Sequence, residues 1–591
     1  MKLTKTSLYL FAIFILAVIL RFYAAHHIDL ATDEMIYSIL PLNIISAEKL
    51  GTVEQSTLFF YLTDLGYKLF GGITAISARF FSALLGALSV FIIFLITKEL
   101  FKDNKAALLS AFLFAVSGFA LRFNYEMDMV AYFFIFLSIF FYLRFLNREN
   151  LKYLYPAFLF FSLAVLVKTL TLLFVFGYIL IFIFYKSKLL FNRSEQKINL
   201  NPKTLRTIFL LFVLILLLFV PVFSYNYLSL TNSKEGVTDF YFSSMLGIGK
   251  SVHQGMEGKT WSISALFSNF KQKIILLFQY DFLILFAGIF GLIYLFNQHR
   301  QGVLLLILSL VIPFVYLAGK TGSGSHYLWL AMILSVFAGP AILRLKDKFN
   351  FSERLSSELS PKFKKRIISI TGILLLLLVL IPLFFTLKEI TGLRSQSITL
   401  ALREYVHENI PENAIVAIDP RIYRGIHAWV FNDKHYIEGT YFSDLSNALA
   451  QNQISGQISN LPLYYIECNP KTNCGWKPED FQRISETGEQ ISDYFKLNLK
   501  KVAEVNVEHS FNIYAGEMKA PFGVYEVIDK THQFWFYPVG WKYPQQAVDY
   551  YEAQGFDKVI ESFGFIILWI EVIIALLSIP LVFWLGLRKE E

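Results

Sequence analysis

Charge is scarce in this sequence of 591 residues: Asp, Glu, Lys and Arg together make up 17% of it, against roughly 25% in soluble globular domains. Cysteine is scarcer still, at two residues, which excludes a disulfide-stapled secreted scaffold. Internal repeats and low-complexity tracts are absent, and the composition excludes disordered, collagen-like and coiled-coil chains. Apolar side chains are abundant: 55% of residues are hydrophobic, 17% aromatic and 61 are Phe, for a mean hydropathy of +0.52. The class left standing is a polytopic membrane protein.

A helix needs about 20 apolar residues to cross the hydrocarbon of a bilayer. About twelve stretches qualify: 6–24, 76–97, 106–121, 129–146, 153–168, 170–186, 207–225, 275–296, 302–318, 326–343, 367–387 and 563–586. The pair within 153–186 also reads as one kinked helix. The first stretch follows Lys2 and Lys5 as a signal peptide would, but it is long for one. Phe22-Tyr23-Ala24-Ala25 is also a poor cleavage site, so it reads as an uncleaved first span.

With the N-terminus in the cytoplasm, alternation puts most short-loop Lys and Arg on the cytoplasmic side. These include Lys98, Lys102, Lys105, Arg144, Arg148, Lys152, the cations from Lys186 to Arg206, and the run Arg344 to Arg366. The positive-inside rule asks for this pattern. The net charge of +8 is therefore topological and implies no nucleic-acid partner. The expected location is a cell membrane, multi-pass, with an extracytoplasmic site (the ER membrane in a eukaryote).

Residues 1–389 then form a transmembrane domain, 390–560 an extracytoplasmic domain, and 561–591 a last helix with a short tail. The middle segment opens with an amphipathic Leu400-Ala401-Leu402-Arg403-Glu404-Tyr405-Val406. Strand-like runs follow at Ala414–Ile418, Leu463–Ile466 and Phe522–Val527. A helix followed by strands predicts a small α/β or α+β domain.

In this topology ionisable residues gather at the outer face. The first loop carries His26, His27, Asp29, Asp33, Glu34 and Glu54; a short turn carries Arg122, Glu126 and Asp128. Arg79 and Lys168 lie at span ends, His253 and Glu257 in a large loop, and Lys320 and His326 flank a Gly/Ser-rich turn. The turn at Arg122–Asp128 is too short to carry its charges far from the membrane surface. Carboxylates and cations at an apolar boundary suit a reaction on an anionic, lipid-borne substrate, whose phosphate needs cations and whose acceptor needs a base.

In order along the chain, several of these residues resemble the GT-C glycosyltransferases that use polyprenyl-phosphate sugars, among them the protein O-mannosyltransferases and the lipid A aminoarabinose transferases. The resemblance lies in Asp33-Glu34, Glu54-Gln55-Ser56-Thr57-Leu58, the segment Tyr61 to Gly71, and Ile76-Ser77-Ala78-Arg79-Phe80. It continues at Asp128, Ala164-Val165-Leu166-Val167-Lys168 and His326-Tyr327-Leu328, and covers roughly residues 1–345. The prolines that follow the acidic residue in the family are missing after Glu54, and Gln55 stands where the aminoarabinose transferases have Lys.

The resemblance implies inverting transfer of a monosaccharide from a polyprenyl-phosphate carrier to a hydroxyl of a protein, lipid or glycan. Asp33 would be the base, with Glu34 orienting it or binding the acceptor. Arg79, Lys168, Lys320 or His326 would stabilise the leaving phosphate, and Glu54, Glu126 and Asp128 would hold substrate. A divalent metal (Zn, Mg or Mn) has candidate ligands in Glu54, His253 and His326, although none are closely spaced. The reading from another class is a secondary transporter or lipid flippase, which calls for ionisable groups at mid-membrane; Glu571 is the clear case. Cys468 and Cys474 allow a small disulfide on the oxidising side. Trp535, Phe536, Tyr537, Trp541 and Tyr543 read as sugar-stacking residues, as an interfacial belt or as domain core.

Overall fold

In the computed structural model of the chain, the described residues are 4–588, apart from 233–260, 320–324, 350–360, 439–461, 469–498, 528–552 and shorter stretches, chiefly within 29–56, at 124, 126, 187–190 and 195–196, and between 396 and 521. Among them, nine helices are long and apolar enough to cross a membrane, and a tenth span is the pair Pro202–Leu218 and Val220–Leu228, bent by 44°. Pro221, which lacks an amide hydrogen and crowds the carbonyl four residues back, sits just past that bend. The protein is a multi-pass membrane protein built of helices, with a small α/β unit before its last helix.

The twelve expected stretches are all helical, but two fall short of a full span. Stretch 106–121 divides into Asn104–Ala115 and Gly118–Phe123. Polar groups that a hydropathy window does not register divide it. Arg21 donates to the carbonyls of Phe114 and Ala115 at 3.3 Å each. Asp281 accepts from the Ser117 hydroxyl at 2.5 Å and from the Gly118 amide at 2.8 Å. Asp281 is itself the non-helical residue at which helix Ile263–Leu295 kinks, so one side chain serves two breaks. The other short helix, Leu154–Val167, ends at Lys168.

Helices Ala75–Phe101 and Met127–Arg148 form the centre, with 89% and 94% of their apolar windows buried, whereas Gly372–Gly392 is 11% buried and faces outward. Helices Ile263–Leu295 and Leu328–Phe349 approach closely because Gly288 and Gly291 present no side chain. A Cβ on Gly288 would stand 2.8 Å from the Leu334 carbonyl oxygen. Small residues at such crossings let membrane helices gain close van der Waals contact.

The α/β unit begins with helix Ile398–Asn409, which buries Leu402 and Val406, with Ile410 just beyond its end, at one-turn spacing. It packs on a five-stranded sheet. After a hairpin of β1 (Phe191–Ser194) and β2 (Lys197–Leu200) elsewhere in the chain, the strands are β3 (Ile415–Ile418), β4 (His435–Glu438), β5 (Leu463–Cys468), β6 (Leu499–Val505), β7 (Ser510–Asn512), β8 (Gly516–Met518) and β9 (Phe522–Val527). The sheet order is β4-β3-β5-β9-β6, with β7 and β8 paired separately. β3 runs parallel to β4 and β5, and β9 antiparallel to β5 and β6. The three strand-like runs of the sequence are thus adjacent in the sheet. Cys468 is disulfide-bonded; Cys474, the chain's other cysteine, lies outside the described residues.

Candidate active site

Three residues far apart in sequence meet at one end of the helix bundle. Asp128 stands in the first turn of helix Met127–Arg148, where the helix dipole favours a carboxylate. Lys168 follows helix Leu154–Val167 in an extended conformation (φ −147°, ψ 111°). Its carbonyl accepts from the Thr171 amide at 3.0 Å and the Thr171 hydroxyl at 2.9 Å, which starts the 3-10 turn Thr169–Phe174. The lysine side chain is thereby freed from the helical repeat at a break between two apolar runs. His326 lies in the 3-10 turn Ser325–Tyr327 before helix Leu328–Phe349.

Lys168 Nζ donates to Asp128 Oδ2 at 2.6 Å, and His326 Nδ1 lies 3.1 Å from each of those atoms. The triangle is held from below. The His326 carbonyl accepts from Tyr132 Oη at 2.8 Å and from Trp329 Nε1 at 2.9 Å. Tyr132 is one turn along the helix that carries Asp128, so one helix fixes two corners. The Phe174 ring contacts both Tyr132 and Trp329, with centroids 6.4 Å and 5.9 Å away.

Among the described residues the triangle does not use all its hydrogen-bonding capacity. Asp128 Oδ1 is buried and has no hydrogen-bond partner among the described residues. An ammonium carries three hydrogens and an imidazole two nitrogens, so with Nδ1 accepting from Lys168 one Lys168 N–H and the His326 Nε2 have no partner among the described residues. The Lys168 and His326 side chains are 11% and 13% exposed, whereas Asp128 is at 1%. The lysine and the histidine are thus the more exposed corners and the carboxylate the most buried one.

A second cluster lies beside the start of helix Ala75–Phe101. Arg79 grips Glu34 with a two-pronged contact, Nε to Oε1 at 2.9 Å and Nη2 to Oε2 at 2.6 Å. Its Nη1 donates to the carbonyls of Ala25 (3.0 Å) and Ile28. The guanidinium lies 4.9 Å from the centre of the Tyr125 ring, and Tyr125 precedes the helix of Asp128 by two residues. Burial pushes the Tyr125 hydroxyl above its usual range, so the ring stays neutral under the cation. Arg79 is 1% exposed, and all its nitrogens are engaged.

Comparison with known proteins agrees with this architecture. Residues 54–225, which contain Arg79, Asp128 and Lys168, match the family model for dolichyl-phosphate-mannose-protein mannosyltransferase. No curated protein matches the chain. Among solved structures, ArnT from Cupriavidus metallidurans bound to undecaprenyl phosphate aligns over 88% of this chain and 98% of its own, at 15% identity and a TM-score of 0.53. The chain has a GT-C-like fold. ArnT in the apo state aligns over the same shares at 14% identity and 0.52. The apo oligosaccharyltransferase of Archaeoglobus fulgidus aligns over 78% of this chain and 69% of its own, at 15% identity and 0.47.

Of the ten residues expected at the site, five are described. Asp128, Lys168 and His326 come together; Glu34 and Arg79 pair with each other. Asp33, Glu54, Glu126, His253 and Lys320 lie outside the described residues. The expectations for Glu34 as a catalytic group and for Arg79 as a phosphate ligand meet a physical obstacle. Both carboxylate oxygens face one guanidinium, and that guanidinium is committed to them and to two carbonyls. Among the described residues no three His, Cys, Asp or Glu side chains form a group suited to a metal ion. His326 does not fit that role either, because the ammonium of Lys168 stands 3.1 Å from its Nδ1 and would repel a second cation.

One residue escaped the sequence reading. Lys273, 1% exposed within helix Ile263–Leu295, holds its ammonium 4.9 Å from the centre of the Tyr327 ring, next to His326. The polar run Lys271-Gln272-Lys273 within a largely apolar helix was the available signal. His26 and His27 end the first helix, where His27 stacks on Tyr23 at 4.1 Å, a packing role.

Proposed function

We propose that the chain is an inverting glycosyltransferase that moves a monosaccharide from a polyprenyl phosphate to a hydroxyl acceptor on the extracytoplasmic side of a membrane. The observation that carries the reading is the triangle of Asp128, Lys168 and His326, a desolvated cationic corner at the bundle end that also carries Arg79. ArnT, bound to undecaprenyl phosphate in its solved structure, supports a lipid phosphate as the ligand class.

In the reaction the acceptor oxygen attacks the anomeric carbon as the bond from that carbon to the phosphate oxygen breaks. The electron pair leaves with the phosphate, and the acceptor's proton passes to a carboxylate base, for which Asp33 is the candidate. Negative charge grows on the phosphate oxygen that leaves. The Lys168 N–H left over among the described residues and the His326 Nε2–H are the donors for it, with Lys273 as an accessory cation behind Tyr327. Preorganised donors of this kind act most strongly where water is excluded. Asp128 holds the lysine ammonium in place, and its Oδ1, without a partner among the described residues, accepts a sugar hydroxyl. Lys320, Glu54 and Glu126 complete the binding surface in this proposal, and Glu34 with Arg79 fastens the loop that precedes it.

Lys168→Met tests the reading with undecaprenyl phosphate as the probe. A charge-assisted hydrogen bond is worth about 1.5–3 kcal/mol, so affinity for the lipid phosphate falls roughly 10- to 100-fold, with a parallel loss of sugar transfer. Unchanged affinity in a folded Lys168→Met protein removes the triangle from the phosphate site. The sugar itself is named by the polyprenyl-phosphate sugar that accumulates in cells lacking the protein.

A further inference from the structure

The hydrophobic core of the α/β unit contains a residue that does not belong to that unit. Leu30, 3% exposed, shares one buried cluster with Leu402, Val406 and Ile410 of the helix side and with Val416, Ile466 and Phe522 of the sheet. Ile73 packs against the same cluster. Arg403, on the same helix, donates from Nη2 to the Ile73 carbonyl at 3.0 Å. Ile73 immediately precedes Thr74, which caps helix Ala75–Phe101 through a reciprocal bond with Ser77.

Each of these contacts touches the segment around Arg79. Ile28 gives its carbonyl to Arg79, Leu30 inserts into the α/β core, and Glu34 returns to Arg79. Ile28 and Glu34 are thus held by a guanidinium of the bundle, and Leu30 between them by the apolar core of the α/β unit. We propose that the α/β unit is a positioning element of the transferase site, with Leu30 and Arg403 as positioning residues that set the first loop and the start of helix Ala75–Phe101 relative to the triangle. This inference rests on the function proposed above for its catalytic consequence, while the mechanical coupling stands apart from it.

Burying one leucine side chain is worth about 1.5–3 kcal/mol, enough to shift a local opening equilibrium by roughly one to two powers of ten. A freestanding acceptor-binding module would need no leucine from the membrane domain in its core. It would leave the first loop unaffected by changes in helix Ile398–Asn409.

The test uses the full chain in liposomes and reads amide hydrogen exchange in peptides covering 28–40, alongside transfer kinetics and undecaprenyl phosphate binding. Arg403→Met removes the bond to Ile73 and leaves the α/β core intact; Leu30→Ala removes the apolar contact, and Leu30→Met restores most of its volume. Expected is exchange at 28–40 at least tenfold faster in Leu30→Ala and faster in Arg403→Met. In the same variants kcat falls about tenfold while KM for donor and affinity for undecaprenyl phosphate stay put, and Leu30→Met recovers both signals. Exchange at 28–40 that matches wild type in both variants overturns the coupling. Faster exchange with undiminished kcat overturns the positioning role. A wild-type protein that neither binds undecaprenyl phosphate nor transfers sugar sinks the proposed function instead, and the exchange result then still decides the coupling.

Discussion

Asp128→Asn is the substitution that best separates a phosphate-binding triangle from other uses of the same residues. The carboxylate is fully buried, 2.6 Å from an ammonium and 3.1 Å from an imidazole nitrogen. The amide keeps its shape and removes one negative charge. A unit charge about 6 Å from a phosphate, at an effective dielectric of about 20, interacts with it by roughly 3 kcal/mol. Taking away that repulsion tightens binding of undecaprenyl phosphate by up to about 100-fold. The fold pays in the absence of ligand, because removing one partner of a buried ion pair costs about 3–5 kcal/mol. The expected result has three parts: tighter binding of the lipid phosphate, a lower melting temperature without it, and recovery of that temperature when it is added. Transfer slows, since product phosphate leaves slowly and the sugar loses the acceptor atom Oδ1. Fluorescence titration and thermal unfolding of the reconstituted protein read all three. Weaker or unchanged lipid-phosphate binding in a folded Asp128→Asn protein refutes the charge argument.

Glu34→Gln and Arg79→Met each lower stability by about 3–5 kcal/mol, and the double variant loses no more than the worse single one, because each single change already breaks the pair; additive losses in chemical denaturation rule out the coupling. Glu571 is 1% exposed within the last helix, and its Oε1 has no partner among the described residues. A polar group left so in a bilayer is costly, so Glu571→Leu raises the melting temperature and leaves transfer intact. Loss of transfer in that folded variant would instead favour the transporter reading, in which a mid-membrane acid is functional.

Much of the fold was legible because the bilayer imposes one length on every span, and a run of that length in Phe and Leu cannot be hidden by local sequence. What the hydropathy pattern missed are the places where a polar side chain from a distant helix cuts a span. Arg21 and Asp281 end Asn104–Ala115 from outside, 94 and 164 residues away in the chain for the Arg21–Ala115 and Ser117–Asp281 bonds, so no window around 116 contains the cause. The strands of the α/β unit were visible for the opposite reason: Ile415–Ile418, Leu463–Ile466 and Phe522–Val527 are short β-rich runs between polar segments. Their pairing across roughly a hundred residues was not visible, nor was Leu30 as a member of their core.

The candidate site shows the same division. Asp128, Lys168 and His326 stood out because each is a charge or imidazole at the edge of an apolar run, where desolvation makes an ionisable residue expensive without a purpose or a partner. Glu34 and Arg79 stood out by the same signal and turned out to satisfy each other, 45 residues apart. The distinction between the two groups is a count of hydrogen bonds among the described residues: Arg79 uses every nitrogen, whereas the triangle leaves a carboxylate oxygen, an ammonium hydrogen and an imidazole nitrogen unmatched there. A closed pair stabilises the loop it ties down. A triangle with bonds still to make among the described residues fits the proposed sugar phosphate, which would supply acceptors to a lysine and a histidine and a hydroxyl to a buried carboxylate.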